Sequence, residues 1–191
     1  MQNLQPGPVT GPVTESERLY AIDALKTTQA NLHQSLVGLS AEQLTFKPLP
    51  DRWSIAECVE HIALVEKGIF RAVQASMNAP ADADRRSQIR VSDVDVIKAV
   101  RSRVVTMAAP TPFVPTGRYG DAAGALQVFD EQRQAAIRYV ETEQADLRLH
   151  FFEHPALGTL DAFQAVLLLA SHAERHRKQI EEIKASPGFP Q

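Results

Sequence analysis

The chain has 191 residues, with 20 Lys and Arg against 23 Asp and Glu and a formal net charge of −3. That length suits one domain with a substantial core, and no basic run or basic–aromatic pattern of the kind that nucleic acid selects is present. The longest apolar run, Ala165 to Ala170, falls far short of the ~20 residues that span a bilayer, and the single cysteine, Cys58, excludes an internal disulfide.

Residues 1–13 carry Pro6, Gly7, Pro8, Gly11 and Pro12, a composition that predicts a mobile tail. The tail lacks the basic and apolar regions of a signal peptide, so a cytoplasmic location is the expectation. A first long helix is predicted from Thr14, with Glu15 and Glu17 set against its dipole and a stripe of Ile22, Leu25, Gln29, Leu32, Leu36 and Leu39. Lys47-Pro48-Leu49-Pro50 then forces a connection.

A second helix begins at Ser54, where Ser54 and Glu57 form the pattern of a capping box. Its stripe runs through Ile55, Val59, Ile62, Ile69, Val73 and Met77 to Asn78-Ala79-Pro80. Residues 80–120 are less regular. A short helix over Asp93–Thr106 would use Ile97, Val100 and Val104, and Pro110, Pro112 and Pro115 then impose an extended loop. So long a connection in a small domain commonly overlies a functional face. A third helix is predicted over Asp121–Thr142, with Leu126, Phe129, Ala136 and Val140 facing inward. A loop follows through His150, Phe151, His154, Pro155 and Gly158, and a fourth helix runs from about Thr159 to just before Pro187-Gly188. Four long helices without a convincing strand predict an all-α, up-down four-helix bundle over residues 14–186.

The fourth helix carries the most informative residues. Its seam reads Ala162, Ala165, Leu169, His172, His176, Ile180, Ile183, so two histidines stand where Leu or Ile is usual. A spacing of four places both on one face, a turn apart. Burying two imidazoles without strong partners is costly, and an inward pair of this kind is half of a metal site. The arrangement is not the H-E-x-x-H of a metalloprotease: Ala173 follows His172, and Glu174 comes one place too late to act as its base.

His61, at the edge of the stripe of the second helix, is the candidate third ligand. His33 beside the first seam, and His150 and His154 in the loop before the fourth helix, compete with it. Gln179, one turn past His176, is placed to orient a ring. Cys58, one turn before His61, would serve as a nucleophile or fourth ligand, but reads better as a small core residue. A closed four-ligand site would need Cys58 or a carboxylate such as Glu57. Trp53 staples the entry of the second helix, with substrate stacking as the alternative. Arg175 and Arg177 flank His176 and either solvate the helix end or meet an anionic substrate.

Trp53-Ser54-Ile55-Ala56-Glu57 followed by His61 resembles the opening of the second helix in the DinB-like bundle superfamily. Gly158-Thr159-Leu160, then His172-x-x-x-His176 and Gln179-Ile180, resembles that family's final helix. The resemblance spans roughly Glu15 to Lys184. It implies a four-helix bundle with a divalent transition ion, usually zinc or nickel, held by His61, His172 and His176. It also implies a metal-dependent hydrolase of the YfiT-like kind or a transferase or isomerase working on a low-molecular-weight thiol. The partner expected is a small-molecule substrate, with neither nucleic acid nor membrane, and a homodimer is left open. The rival reading is a bundle that binds metal or a small ligand without catalysis.

Overall fold

A computed structural model of the protein describes residues 11–104 and 108–191. Four long helices form the body: α1 (Glu15–Leu36), α3 (Ile55–Met77), α5 (Ala122–Thr142) and α6 (Ala162–Lys184). Between them lie a one-turn helix α2 (Ala41–Thr45), the short helix α4 (Asp93–Arg101), and a hairpin of β1 (Phe151–His154) and β2 (Gly158–Asp161).

The helix starts follow from their caps. Thr14 with Glu17, Ser54 with Glu57 and Asp161 with Gln164 form complete capping boxes, so backbone N–H groups that would be orphaned are bonded at each start. Asp121 caps α5 through the Gly124 amide. The buried stripe of α1 is Glu17, Ala21, Leu25, Thr28, Leu32 and Ser35, one position off the predicted stripe, with Ile22, Gln29 and Leu36 at its margins. Every residue of α3 from Cys58 to Glu66 is buried, because helices and the connection after α3 cover it on several sides.

The expected four-helix bundle is present, and its helix directions can be read from contacts. The Arg18 guanidinium at the start of α1 donates to the Val140 carbonyl near the end of α5. Lys184, at the end of α6, donates to the Ser35 carbonyl at the end of α1. Ile55 and Cys58, early in α3, share a core cluster with Ala125 and Phe129, early in α5, and with Ile180 and Ile183, late in α6. The order is therefore up, down, down, up, so strict alternation does not hold. The reason is residues 78–121, which return the full length of the bundle before α5 begins. On the way α4 packs against α6, with Val96 meeting Leu160 and Leu168, and a 3-10 turn over Thr111–Phe113 meets α3.

Two sequence expectations need correction. The fourth helix starts at Ala162, not Thr159, because residues 158–161 pair as β2: Phe151 lies opposite Asp161 and His154 opposite Gly158. The turn uses Gly158 at φ +73°, and His154 Nδ1 accepts the Ala156 and Leu157 amides. The short helix ends at Arg101; Val104 is 92% exposed, and the rest of its predicted span, residues 105–107, lies outside the described residues. Of the predicted tail, residues 1–10 lie outside the described residues, while the Gly11 carbonyl accepts from Arg86 and the Val13 amide donates to Asp146.

Two buried arginines tie the bundle together. Arg133 of α5 makes a bidentate pair with Glu66 of α3 and donates to the Leu25 carbonyl and Thr28 hydroxyl of α1 and the Leu169 carbonyl of α6. At the far end, Arg148 bonds Glu17, Asp93 and Asp161, joining the starts of α1, α4 and α6. Among the described residues no helix is long and apolar enough to cross a membrane.

Candidate metal centre

The seam of α6 and the second turn of α3 face one another, and this brings His61, His172 and His176 together. Their ring centroids are 4.5–5.0 Å apart. The candidate ligand atoms of all three lie within 4.8 Å of one another, and His61 Nε2 is 3.2 Å from His172 Nε2. Two nitrogens bound to one tetrahedral ion at ~2.0–2.1 Å stand about 3.3 Å apart, so this pair already has the spacing of co-ligands.

What fixes the rings is as informative as their distances. His61 Nδ1–H donates to the Phe113 carbonyl at 2.7 Å, and His176 Nδ1–H donates to Gln179 Oε1 at 3.0 Å. An N–H held in this way places the free lone pair on Nε2, which is the outer-sphere pattern of ligating histidines. Gln179 is held in turn by Arg103 Nη1 at 3.1 Å, and Arg103 forms a two-point ion pair with Glu182. Both Phe113 and Arg103 belong to the connection between α3 and α5, which therefore closes over the histidines as its length suggested.

His61 and His176 are buried and His172 is half-buried. Trp53 packs beside the cluster, with its ring 4.7 Å from His61 and 6.1 Å from His176. It is thus part of the site as well as the neighbour of the α3 cap. Burial pushes the pKa of His61 below 6.5 and those of His172 and His176 well below it. The positive charge of Arg175 acts in the same direction on all three, and that of Arg103 on His176. These imidazoles are neutral at pH 7, the form that ligates a metal.

The remaining candidates are placed elsewhere. Cys58 is fully buried in the core and its thiol is pushed up to about 12 by burial, so it is neither nucleophile nor ligand. Glu57 closes the α3 capping box and pairs with Lys47. Glu60 accepts the Thr116, Gly117 and Arg118 amides, and Glu174 pairs with Arg177. His33 pairs with Asp130, and His150, expected in an open loop, is buried with Nδ1 on the Ser76 carbonyl. Two surface depressions, one beside Arg177 and Glu181 and one beside Glu57 and Glu60, do not include the three histidines. Sequence reasoning reached the histidines and Gln179 but missed Phe113 and Arg103. A Phe between prolines inside a long connection was the available signal for the first.

Comparison with known proteins agrees with this architecture. The chain is 25% identical over 152 residues to YuaE of Bacillus subtilis (strain 168), a protein described as uncharacterized; the match covers 78% of this chain and 88% of that one. Its fold is similar to that of YfiT from Bacillus subtilis, with a TM-score of 0.63 and 16% identity, covering 96% of this chain and 94% of the other. YfiT is described as a probable metal-dependent hydrolase with an unusual four-helix bundle topology. The sequence model of the DinB superfamily matches residues 24–180, which contain all three histidines, the whole of α3 and all of α6 except its last four residues, and the chain belongs to the DinB superfamily.

Proposed function

We propose that the protein is a metal-dependent enzyme whose ion is held by His61, His172 and His176 and whose reaction is hydrolysis of a small molecule or transfer of a low-molecular-weight thiol. The observation that carries this reading is the convergence of three neutral imidazoles, two with Nδ1 tied to protein oxygens so that Nε2 is available. A donor set of three nitrogens fits a divalent transition ion, with zinc or nickel the natural choices. Bound there, such an ion supplies Lewis acidity toward a water, thiol or carbonyl at the position that three protein ligands leave open.

The chain itself supplies positioning. Phe113 and Gln179 hold the tautomers, and Trp53 packs against the His61 ring. Glu57, Glu60 and Glu174 are engaged elsewhere, so no carboxylate among them acts as a ready general base.

The test is a panel of esters, amides and electrophiles with low-molecular-weight thiols, run with zinc- or nickel-loaded protein, chelator-treated protein and His176→Ala. Turnover that follows the metal and disappears in the folded variant supports the enzyme reading. A protein that holds the metal but turns over nothing in the panel supports the rival, a non-catalytic metal-binding bundle, which the burial of two of the three rings favours.

A further inference from the structure

We infer that the segment Thr111–Arg118 is a positioning strap for His61, and that its register is set by the Phe113 ring seated over Gly68. This rests on the reading of His61 as a metal ligand. Gly68 lies seven residues after His61, two turns along the same face of α3. Glycine is among the poorest residues for a helix interior, so its place in a 23-residue helix calls for a reason. The reason is contact: a Cβ at Gly68 would stand 2.6 Å from Phe113 Cε1 and 2.8 Å from Phe113 Cζ, closer than carbon atoms approach. The ring occupies the space that any other residue would fill.

The same residue presents its carbonyl to His61 Nδ1 at 2.7 Å. Three residues on, the strap is fastened again, where Glu60 Oε1 and Oε2 accept the amides of Thr116, Gly117 and Arg118 at 2.8–3.2 Å. Glu60 adjoins His61 in sequence, Pro115 stiffens the segment between the two fixings, and Pro110 and Pro112 stiffen the approach to the first. Strap and ligand thus share three fixings, at Gly68, His61 and Glu60, all on α3. A carbonyl held this way orients the ring and raises the basicity of its ligating nitrogen, so Phe113 and Gly68 are positioning residues for metal affinity although neither would touch the ion.

The test is zinc affinity at pH 7.5, by competition with a chromophoric chelator, for the unaltered protein, Gly68→Ala, Phe113→Ala and the double variant, with cobalt absorption as a second readout of the ligand field. Losing the orientation of one ligand should weaken zinc binding by about tenfold or more in each single variant. In the Phe113→Ala background the added methyl meets open space and improves the helix. Gly68→Ala should there cost no further affinity and should raise the unfolding temperature of the metal-free protein. A purely structural role for Gly68 would lower stability in both backgrounds and leave the zinc constant and cobalt spectrum of the folded fraction unchanged, which would overturn the inference. Single variants binding zinc within twofold of the parent would overturn it also, while leaving the metal reading intact. No zinc uptake by the unaltered protein would overturn both.

Discussion

Replacing Glu66 by Gln removes one charge from a buried pair and leaves its partner in place. Arg133 is fully buried and Glu66 2% exposed, and they meet through two bonds of 2.6 and 2.9 Å. Breaking such a pair from one side costs about 3–5 kcal/mol, because an uncompensated charge stays in the core. Arg133 retains the Leu25 carbonyl at 2.8 Å, the Thr28 hydroxyl at 2.7 Å and the Leu169 carbonyl at 3.3 Å, which places Glu66→Gln near the lower end, about 3 kcal/mol. For a chain of this size that is a fall of roughly 6–12 °C in Tm. Thermal unfolding of metal-free protein followed by circular dichroism measures it. The double variant Glu66→Met with Arg133→Met removes both charges and should recover most of the loss. A fall under about 2 °C in the single variant, or a double variant less stable than the single, would refute the view that this pair clamps the four helices.

The pH dependence follows from the buried histidines. Their pKa values lie below 6.5 in the folded protein, so between that value and their own the unfolded chain takes up protons that the folded chain refuses. Stability is fully present above pH 6.5 and falls as pH drops below it; Tm of the metal-free protein should decline from pH 7 to pH 5, and less steeply in His172→Gln. Gln179→Leu removes the acceptor for His176 Nδ1–H and should weaken zinc binding by about 10–100-fold, read by the same chelator competition; an unchanged constant would remove Gln179 from the site. Cys58 should not react with a thiol reagent in the folded protein and should react fully in denaturant; rapid labelling of the native chain would contradict its burial.

The parts of the fold legible in the sequence were those with strong local signals. Thr14 and Ser54 announce helix starts because their side chains replace missing backbone partners, and both box patterns are complete in the structure. His172 and His176 were legible because polar residues in an apolar seam need a partner. What was not legible depends on distant chain. The β1–β2 hairpin is four residues a side and draws its pairing from a turn at Gly158, too short for periodicity to reveal. Arg133 interrupts the seam of α5 like a surface residue, and only Glu66 on another helix explains it. The directions of α3 and α5 are set by the long connection, and with them the covering of the site by Phe113 and Arg103, which no helical period encodes.

The central claim is that three histidines from α3 and α6 hold one metal ion. Protein purified without a polyhistidine tag, loaded with zinc, freed of excess and assayed for metal by mass spectrometry tests it directly, beside His61→Ala, His172→Ala and His176→Ala. Trp53, the single tryptophan, lies 4.7 Å from the His61 ring, so its fluorescence under nickel titration gives an independent reading in the same samples. The account predicts one ion per chain, quenching that saturates at that ratio, and loss of both in each folded variant. Zinc content well below one per chain in the parent, or content unchanged in the three variants, would contradict it.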